Sequence, residues 1–202
     1  MNILAICSAL NNTYLGFKIN NEEIHKIIKS DENYHSLYLI SEIKNILKEK
    51  NFSLSNLDAI CVNCGPGSFT GIRVALTVAK VLAGELNLPL IELNTAEILL
   101  NEFEKEYLIM DARRDMFFVG TKEKIELIYK DKIPNNIKET EILCDKNSKK
   151  IYTNSTCFEE IDKELSKTMI KIAKHKYLNS NNKEDFNYLN VKANYIQTPP
   201  VF

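Results

Sequence analysis

Residues 61–84 read CVNCGPGSFTGIRVALTVAKVLAG, and this stretch decides the predicted fold. An apolar strand over 59–63 runs into a glycine-rich turn, and the turn opens a long helix. The two glycines give the turn backbone freedom, and Ser68 or Thr70 can cap the helix. The order of strand, glycine turn and helix N-terminus is typical of a phosphate-binding loop.

The turn is therefore a candidate anion-binding loop, because unpaired N–H groups and the helix dipole both favour a negative charge there. Its glycine spacing matches neither the dinucleotide-binding fingerprint nor the Walker loop. A tight strand-to-helix turn explains the same residues, so both interpretations stay open. The candidate loop consists of Gly65, Pro66, Gly67, Ser68, Thr70, Gly71 and Arg73.

The helix over 70–86 is apolar around most of its circumference, which predicts burial on more than one side. Small residues recur every four positions and form one stripe. The stripe consists of Gly71, Ala75, Ala79 and Ala83. It would let a second helix approach closely, and we predict that another chain supplies that helix. Cover from the same chain is the alternative.

A helix predicted over 33–50 also has more apolar surface than one sheet contact requires. Its apolar line is widened by Tyr38, Leu39 and Ile46. The two helices together predict an interface with a partner protein. The predicted interface residues are Leu39, Ile43, Ile46, Gly71, Ile72, Ala75, Ala79 and Ala83.

Composition limits the class of protein. The chain has 202 residues, 45% of them hydrophobic and 26% charged, and its net charge is −1. This balance argues against a protein that binds nucleic acid by itself. No apolar run has the length of a membrane span, and the start MNILAICSAL has no basic leader. The five cysteines are odd in number, which favours reduced thiols and a cytoplasmic protein.

The order of elements predicts an α/β fold. Strands over 2–9, 13–19 and 22–29 are joined by two short turns and form an antiparallel meander. Crossover helices then lead to parallel strands over 59–63 and 88–93. The result is a mixed five-stranded sheet covered by helices.

A second set of elements begins near residue 104, so we predict domains over 1–103 and 104–202. The second domain is smaller and less apolar than the first. Its predicted strands cover 107–110, 116–121, 125–129 and 151–153, its predicted helices cover 158–165 and 167–177, and its tail is extended.

No catalytic or metal-binding constellation is evident from residue spacing. Cys61 and Cys64 form a single C-x-x-C in a strand, where they point to opposite faces and suit no zinc site. The three histidines lack metal-binding spacing, and no G-x-S-x-G motif occurs. Asp111 with Arg113 and Arg114 is the most polar group near a strand end, and a salt-bridged turn is the favoured explanation. We therefore predict no catalytic residue and no metal site.

Several motifs resemble the bacterial TsaB (YeaZ) family, a Gcp-like, M22-type branch of the actin/sugar-kinase/Hsp70 (ASKHA) superfamily. The motifs are ILAICSA at 3–9, NYHSLYLISEI at 33–43, GPGSFTGIR at 65–73, LPLIELNT at 88–95 and LIMDARRDMFF at 108–118. The resemblance covers about residues 1–121 well. It implies an actin/ribonuclease-H-like mixed five-stranded sheet with helices, plus a smaller, reduced second α/β domain.

The resemblance also implies a function. Such proteins serve as non-catalytic scaffolds that bind and activate the catalytic subunit TsaD, which makes N6-threonylcarbamoyladenosine at position 37 of tRNA. The chain would then be a required subunit of a threonylcarbamoyl transferase complex and no enzyme by itself. TsaE is a further expected partner, tRNA is reached through the complex, and a homodimer in the absence of TsaD stays open. No cofactor is required, although ATP or ADP bound at the level of the complex stays open.

One position departs from the family pattern. Cys7 stands where relatives have an aspartate near metal and phosphate, and a thiol is a poor magnesium ligand. This weighs against the alternative function, a nucleotide-binding ASKHA-type ATPase that uses the glycine turn. An M22-type peptidase is the third hypothesis and ranks lowest, because no nucleophile–base pair is visible.

Overall fold

The computed structural model describes residues 1–29, 35–160 and 164–196. The chain forms two compact units. Unit 1 combines Met1–Asn94 with Glu164–Asn194, and unit 2 combines Thr95–Lys163 with the chain from Tyr195 onward. Each unit is built on its own five-stranded sheet.

The sheet of unit 1 is the mixed sheet that the sequence predicts. Its strands are β1 (Ile3–Cys7), β2 (Thr13–Ile19), β3 (Glu22–Ile28), β4 (Ala59–Asn63) and β5 (Leu90–Leu93). The spatial order is β3-β2-β1-β4-β5, with β2 antiparallel to β1 and β3. β4 runs parallel to β1 and β5, because each connection to it crosses over through a helix.

Two long helices cover one face of this sheet. They are α1 (His35–Glu49) and α2 (Phe69–Leu86). The helices that follow in the chain are α3 (Thr95–Glu102), α4 (Lys146–Lys149) and α5 (Leu165–Asn179). α1 and α2 contact each other. Leu15 and Phe17 of β2 share a buried cluster with Leu39 of α1 and Ala79 of α2. This face therefore holds the main core of unit 1.

α5 packs on the opposite face of the same sheet. Gly16 lies between Leu15 and Phe17 and so points away from the main core. A Cβ atom at Gly16 would lie 2.6 Å from Cβ of Ser166, so only glycine leaves room for α5 there. The predicted ranges 1–103 and 104–202 differ from the observed units for this reason, because the chain returns to unit 1 with α5.

The sheet of unit 2 repeats the topology of the first. Its strands are β6 (Tyr107–Asp111), β7 (Met116–Gly120), β8 (Ile125–Tyr129), β9 (Ile142–Cys144) and β10 (Thr156–Cys157). Their order is β10-β9-β6-β7-β8, with an antiparallel meander over β6–β8 and parallel pairing of β9 with β6 and β10. The expected fold class, an actin/ribonuclease-H-like α/β fold with a reduced second part, is confirmed.

Two predicted elements of the second half are different in the structure. Residues 151–153 form a turn, and the last two strands are instead β9 and β10. With three and two residues, these strands are too short to show an alternating pattern. The predicted helix over 158–165 is a single 3₁₀ turn over Phe158–Glu160. Residues 161–163 and the predicted extended tail beyond 196 lie outside the described residues.

Candidate functional site

The carboxyl ends of β1 and β4 meet at the candidate anion-binding loop. Cys7 ends β1, and its side chain is completely buried. Asn63, at the end of β4, donates a hydrogen bond from Nδ2 to Sγ of Cys7 over 3.3 Å. Burial is the main cause that raises the pKa of the Cys7 thiol, so the thiol stays neutral at physiological pH. The position offers neither a carboxylate nor a thiolate to a cation.

The glycine turn is packed directly against the chain that leaves β1. The backbone N–H of Ser68 donates to the carbonyl oxygen of Ala9 over 2.7 Å. A Cβ atom at Gly67 would lie 2.1 Å from that oxygen, and one at Gly71 would lie 1.7 Å from the carbonyl oxygen of Ser8. These glycines are required because backbone approaches backbone at this point. The neighbours are carbonyl oxygens, whose partial negative charge disfavours an anion in the same place.

The other side of the turn is covered by a segment that sequence reasoning missed. Asn194 donates its backbone N–H to the carbonyl oxygen of Cys64 over 2.7 Å. Gly65 has a φ of +105°, and a Cβ atom there would lie 2.6 Å from the carbonyl oxygen of Asn194. Val191 from the same segment is buried in the core of unit 1. Val191 and Ala193 are apolar positions in a polar stretch, and this is the only sequence signal for the contact.

The first turn of α2 is capped as predicted. Oγ of Ser68 accepts a hydrogen bond from the backbone N–H of Gly71 over 3.2 Å, so Ser68 and not Thr70 is the cap. The guanidinium carbon of Arg73 lies 4.0 Å from the ring centre of Phe69, in cation–π contact. Ser68, Thr70 and Arg73 are exposed, whereas Gly65, Pro66 and Gly71 are buried. Anion binding by this loop stays a prediction.

The residues predicted to form a partner interface are buried within the chain itself. Ala75, Ala79 and Ala83 are completely buried in the core of unit 1, and Gly71 packs against Ser8. Leu39, Ile43, Ile46 and Ile72 have at most 5% of their surface exposed. The prediction that another chain covers the small-residue stripe is therefore corrected. The same chain covers it, because α1 and α2 pack on each other and on the sheet.

α1 and α2 nevertheless leave other apolar side chains exposed. Tyr38 and Ile40 of α1 are 53% and 49% exposed, and Phe69 and Val81 of α2 are 45% and 58% exposed. Val74 and Val78 of α2 are partly buried beside the core. We call these six residues the outer α1–α2 face. The sequence signal for it is apolar residues beyond the buried stripe on both helices.

The polar group at the end of β6 is held by hydrogen bonds. Oδ1 of Asp111 accepts from the backbone N–H of Arg113 over 2.8 Å. Oδ2 of Asp145 accepts from the backbone N–H of Asp111 over 2.9 Å, and Oδ1 of Asp145 caps α4. Within the described residues, Arg113 and Arg114 form no ion pair, so the expected salt-bridged turn is wrong. Both arginines have positive φ in the turn that the Asp111 carboxylate closes.

The five cysteines are buried free thiols. Burial raises the pKa of Cys64 to about 12 and that of Cys144 to about 11. Burial also raises the pKa of the Cys61 thiol. In the part of the chain that the structure describes, no three or more His, Cys, Asp or Glu residues are grouped so as to hold a metal ion.

Comparison with known proteins identifies the family. The family model of TsaD, a tRNA N6-adenosine threonylcarbamoyltransferase, matches residues 24–198. A protein from Buchnera aphidicola (subspecies Acyrthosiphon pisum), named tRNA threonylcarbamoyladenosine biosynthesis protein TsaB, is 27% identical over 185 residues, which are 89% of this chain and 76% of the relative. The chain belongs to the TsaB (YeaZ) family.

One further relative and one solved structure are similar to this chain. The TsaB of another Buchnera aphidicola, subspecies Baizongia pistaciae, is 42% identical over 79 residues, which are 39% of this chain and 36% of that relative. The crystal structure of a Pseudomonas aeruginosa protein similar to the peptidase YeaZ has a TM-score of 0.76. It is 17% identical and the match covers 97% of this chain and 99% of that one, so it shows the TsaB-type fold alone.

Among the described residues, no helix is both long and apolar enough to span a bilayer.

Proposed function

We propose that this chain is a non-catalytic partner subunit in the synthesis of N6-threonylcarbamoyladenosine in tRNA, and that it binds a TsaD-type protein. The relatives named TsaB carry this biosynthesis in their names. The matching family model describes the transferase TsaD, and a relative from Ehrlichia canis bears the name of that transferase. The pairing of a TsaB-type chain with a TsaD-type chain follows from the resemblance stated above.

The packing of the glycine turn supports the proposal that the chain is non-catalytic. A phosphate at this turn would have to displace the carbonyl groups of Ser8 and Ala9, against which Gly71 and Gly67 are packed. A magnesium ion at the end of β1 would meet the neutral thiol of Cys7 instead of a carboxylate. Both arguments favour a partner subunit over the ASKHA-type ATPase.

The outer α1–α2 face supports the partner-binding part. Its exposed apolar side chains lie on two helices that contact each other. Burial of apolar surface is favourable by about 25 cal/mol per Å² before the costs of association. A TsaD-type protein is the proposed occupant of this face.

A pull-down with separate substitutions tests this surface. Val81→Glu and Ile40→Glu each place a carboxylate on the outer α1–α2 face and are expected to abolish co-purification with the cognate TsaD-type protein. Leu189→Glu is the matched control, because Leu189 is 66% exposed and lies outside both helices. The expected control result is an intact complex of unchanged mass. If the complex still forms with both variants, the outer α1–α2 face is not the interface.

Calorimetric titration of the chain with ATP and magnesium separates the proposal from the ATPase hypothesis. We expect no saturable heat and no ADP formation from the chain by itself. Tight binding with turnover would overturn the non-catalytic proposal. TsaE as a partner, tRNA contact through the complex, nucleotide bound at the level of the complex and a homodimer without TsaD stay predictions.

A further inference from the structure

α5 carries a one-sided basic surface. Its buried side consists of Leu165, Ser166, Met169, Ile170 and Ala173. Lys167, Lys171 and Lys174 are exposed on the opposite side. At about 100° per residue, these three lysines lie within roughly 60° of arc and form one ridge along the helix. We call these three residues the α5 lysine ridge.

The α5 lysine ridge differs from three other lysines of unit 1 in its electrostatic partners. Lys18, Lys26 and Lys50 form ion pairs with Glu23, Glu42 and Glu22. Within the described residues, none of the three ridge lysines has an ion-pair partner. α5 itself contains no acidic residue, so their charges add along the ridge.

The acidic groups nearest in sequence lie beyond the two ends of α5. Glu164 precedes the helix, and Glu184 and Asp185 follow it in a 3₁₀ turn. The Asp185 carboxylate accepts hydrogen bonds from Asn182 and Ser180, over 3.2 and 3.4 Å. The α5 lysine ridge is therefore a positive surface in a chain whose net charge is −1.

Helix stability does not explain the first lysine of the ridge. Lys167 lies in the first turn of α5, where the helix dipole is positive and a cation is unfavourable. The acidic N-cap residue, Glu164, lies beside that turn and offsets part of the effect. The dipole itself gives no reason for a lysine in this place.

We propose that the α5 lysine ridge binds the phosphate backbone of RNA. Lys167 and Lys171 are separated by about 6 Å along the helix axis and the whole ridge spans roughly 10 Å, which suits successive phosphates of one strand. The proposal deepens the proposed function, since the relatives act in tRNA modification by name, and it gives this chain its own contact with the tRNA. Lysines that contact only phosphates give affinity without reading sequence.

The test measures tRNA binding by the full chain in complex with its cognate TsaD-type protein. The variant Lys167→Gln/Lys171→Gln/Lys174→Gln removes three charges from the ridge. Fluorescence anisotropy with labelled tRNA, between 50 and 200 mM KCl, is expected to show a loss of affinity of about tenfold or more at the lowest salt. The slope of log K against log salt is expected to become shallower by about 2 to 3.

A matched triple variant controls for net charge. Lys122→Gln/Lys124→Gln/Lys138→Gln removes the same charge from exposed lysines of unit 2 and is expected to change the affinity less than twofold. Equal losses in both variants would overturn the ridge as a site. Ridge-dependent binding to phosphatidylglycerol vesicles without a ridge effect on tRNA would overturn RNA as its ligand.

The two proposals fail in different ways. If the complex forms and the ridge variant binds tRNA like the unaltered protein, the ridge proposal is wrong and the proposed function stands. If no complex forms, the proposed function is wrong, and the same salt titration is run on the full chain by itself. A ridge-specific loss in that titration supports the ridge, and no loss overturns it.

Discussion

The two units share one strand order but differ in what connects the strands. In unit 1, the connections on either side of β4 are α1, of 15 residues, and α2, of 18 residues. In unit 2, the matching connections around β9 contain, in the described residues, no α-helix longer than α4, of four residues. The two sheets thus share one strand order, but the connections in unit 2 provide much less helical cover.

The reduced cover leaves the sheet of unit 2 less completely packed. A pocket of about 370 Å³ lies beside its small core. Ile109 and Ile142 of the sheet line the pocket together with Ile133 and Tyr152 from the connections. Unit 2 therefore has the same strand order as unit 1 with short connections. The more densely packed core is found in unit 1, where long helices cover the sheet.

The largest expected effect concerns the small-residue stripe of α2. Ala75→Glu places a carboxylate at a completely buried position and is expected to lower the free energy of unfolding by about 3–5 kcal/mol. Val81→Glu, on the exposed side of the same helix, should change it by about 0.5 kcal/mol or less. Urea unfolding followed by circular dichroism measures both. Equal stability of the two variants would mean that α2 is not buried by its own chain.

A somewhat smaller effect is expected at the glycine turn of unit 1. Gly71→Ala would place Cβ 1.7 Å from the carbonyl oxygen of Ser8, so the backbone must shift, at a cost of about 3 kcal/mol. Gly84→Ala in the same helix meets only the ring of Tyr188 at 3.2 Å and gains helix propensity of about 1 kcal/mol. In thermal unfolding, the Gly71→Ala variant should therefore have a lower melting temperature than the Gly84→Ala variant. A neutral Gly71→Ala variant would contradict the close contact between the turn and the chain after β1.

The smallest expected difference, about 2 kcal/mol, is between matched substitutions in the two cores. Ile6→Ala in β1 removes a side chain from the fully covered face of unit 1, and we expect a loss near 4 kcal/mol. Ile142→Ala in β9 removes one beside the pocket of unit 2, and we expect a loss near 2 kcal/mol, because the side chain has fewer neighbours to lose. Urea unfolding of both variants gives the difference. A larger loss for Ile142→Ala would show that unit 2 is the better packed of the two.

The sequence by itself determined the sheet of unit 1 and the start of α2. Alternation of apolar residues, two-residue turns and the crossover lengths were enough to predict five strands and their pairing, with ends within two residues of those observed. The cap of α2 followed in the same way, because Ser68 acts on a backbone group three residues away. These features depend on local geometry, which a short stretch of sequence contains.

Tertiary structure alone decided what covers the helices and the turn. The stripe of α2 is equally compatible with burial by the same chain or by a partner, since periodicity shows that a face is buried and not against what. Leu39 of α1 shares one buried cluster with Ala79 of α2, although the two lie far apart in the chain. The hydrogen bond from Asn194 to Cys64, which covers the turn, joins residues that are even farther apart. The glycines of the turn are explained in the same way, because their neighbours, the carbonyl groups of Ser8 and Ala9, are about 60 residues distant in sequence. Which chain covers an apolar face depends on these long-range contacts, and no local pattern encodes them.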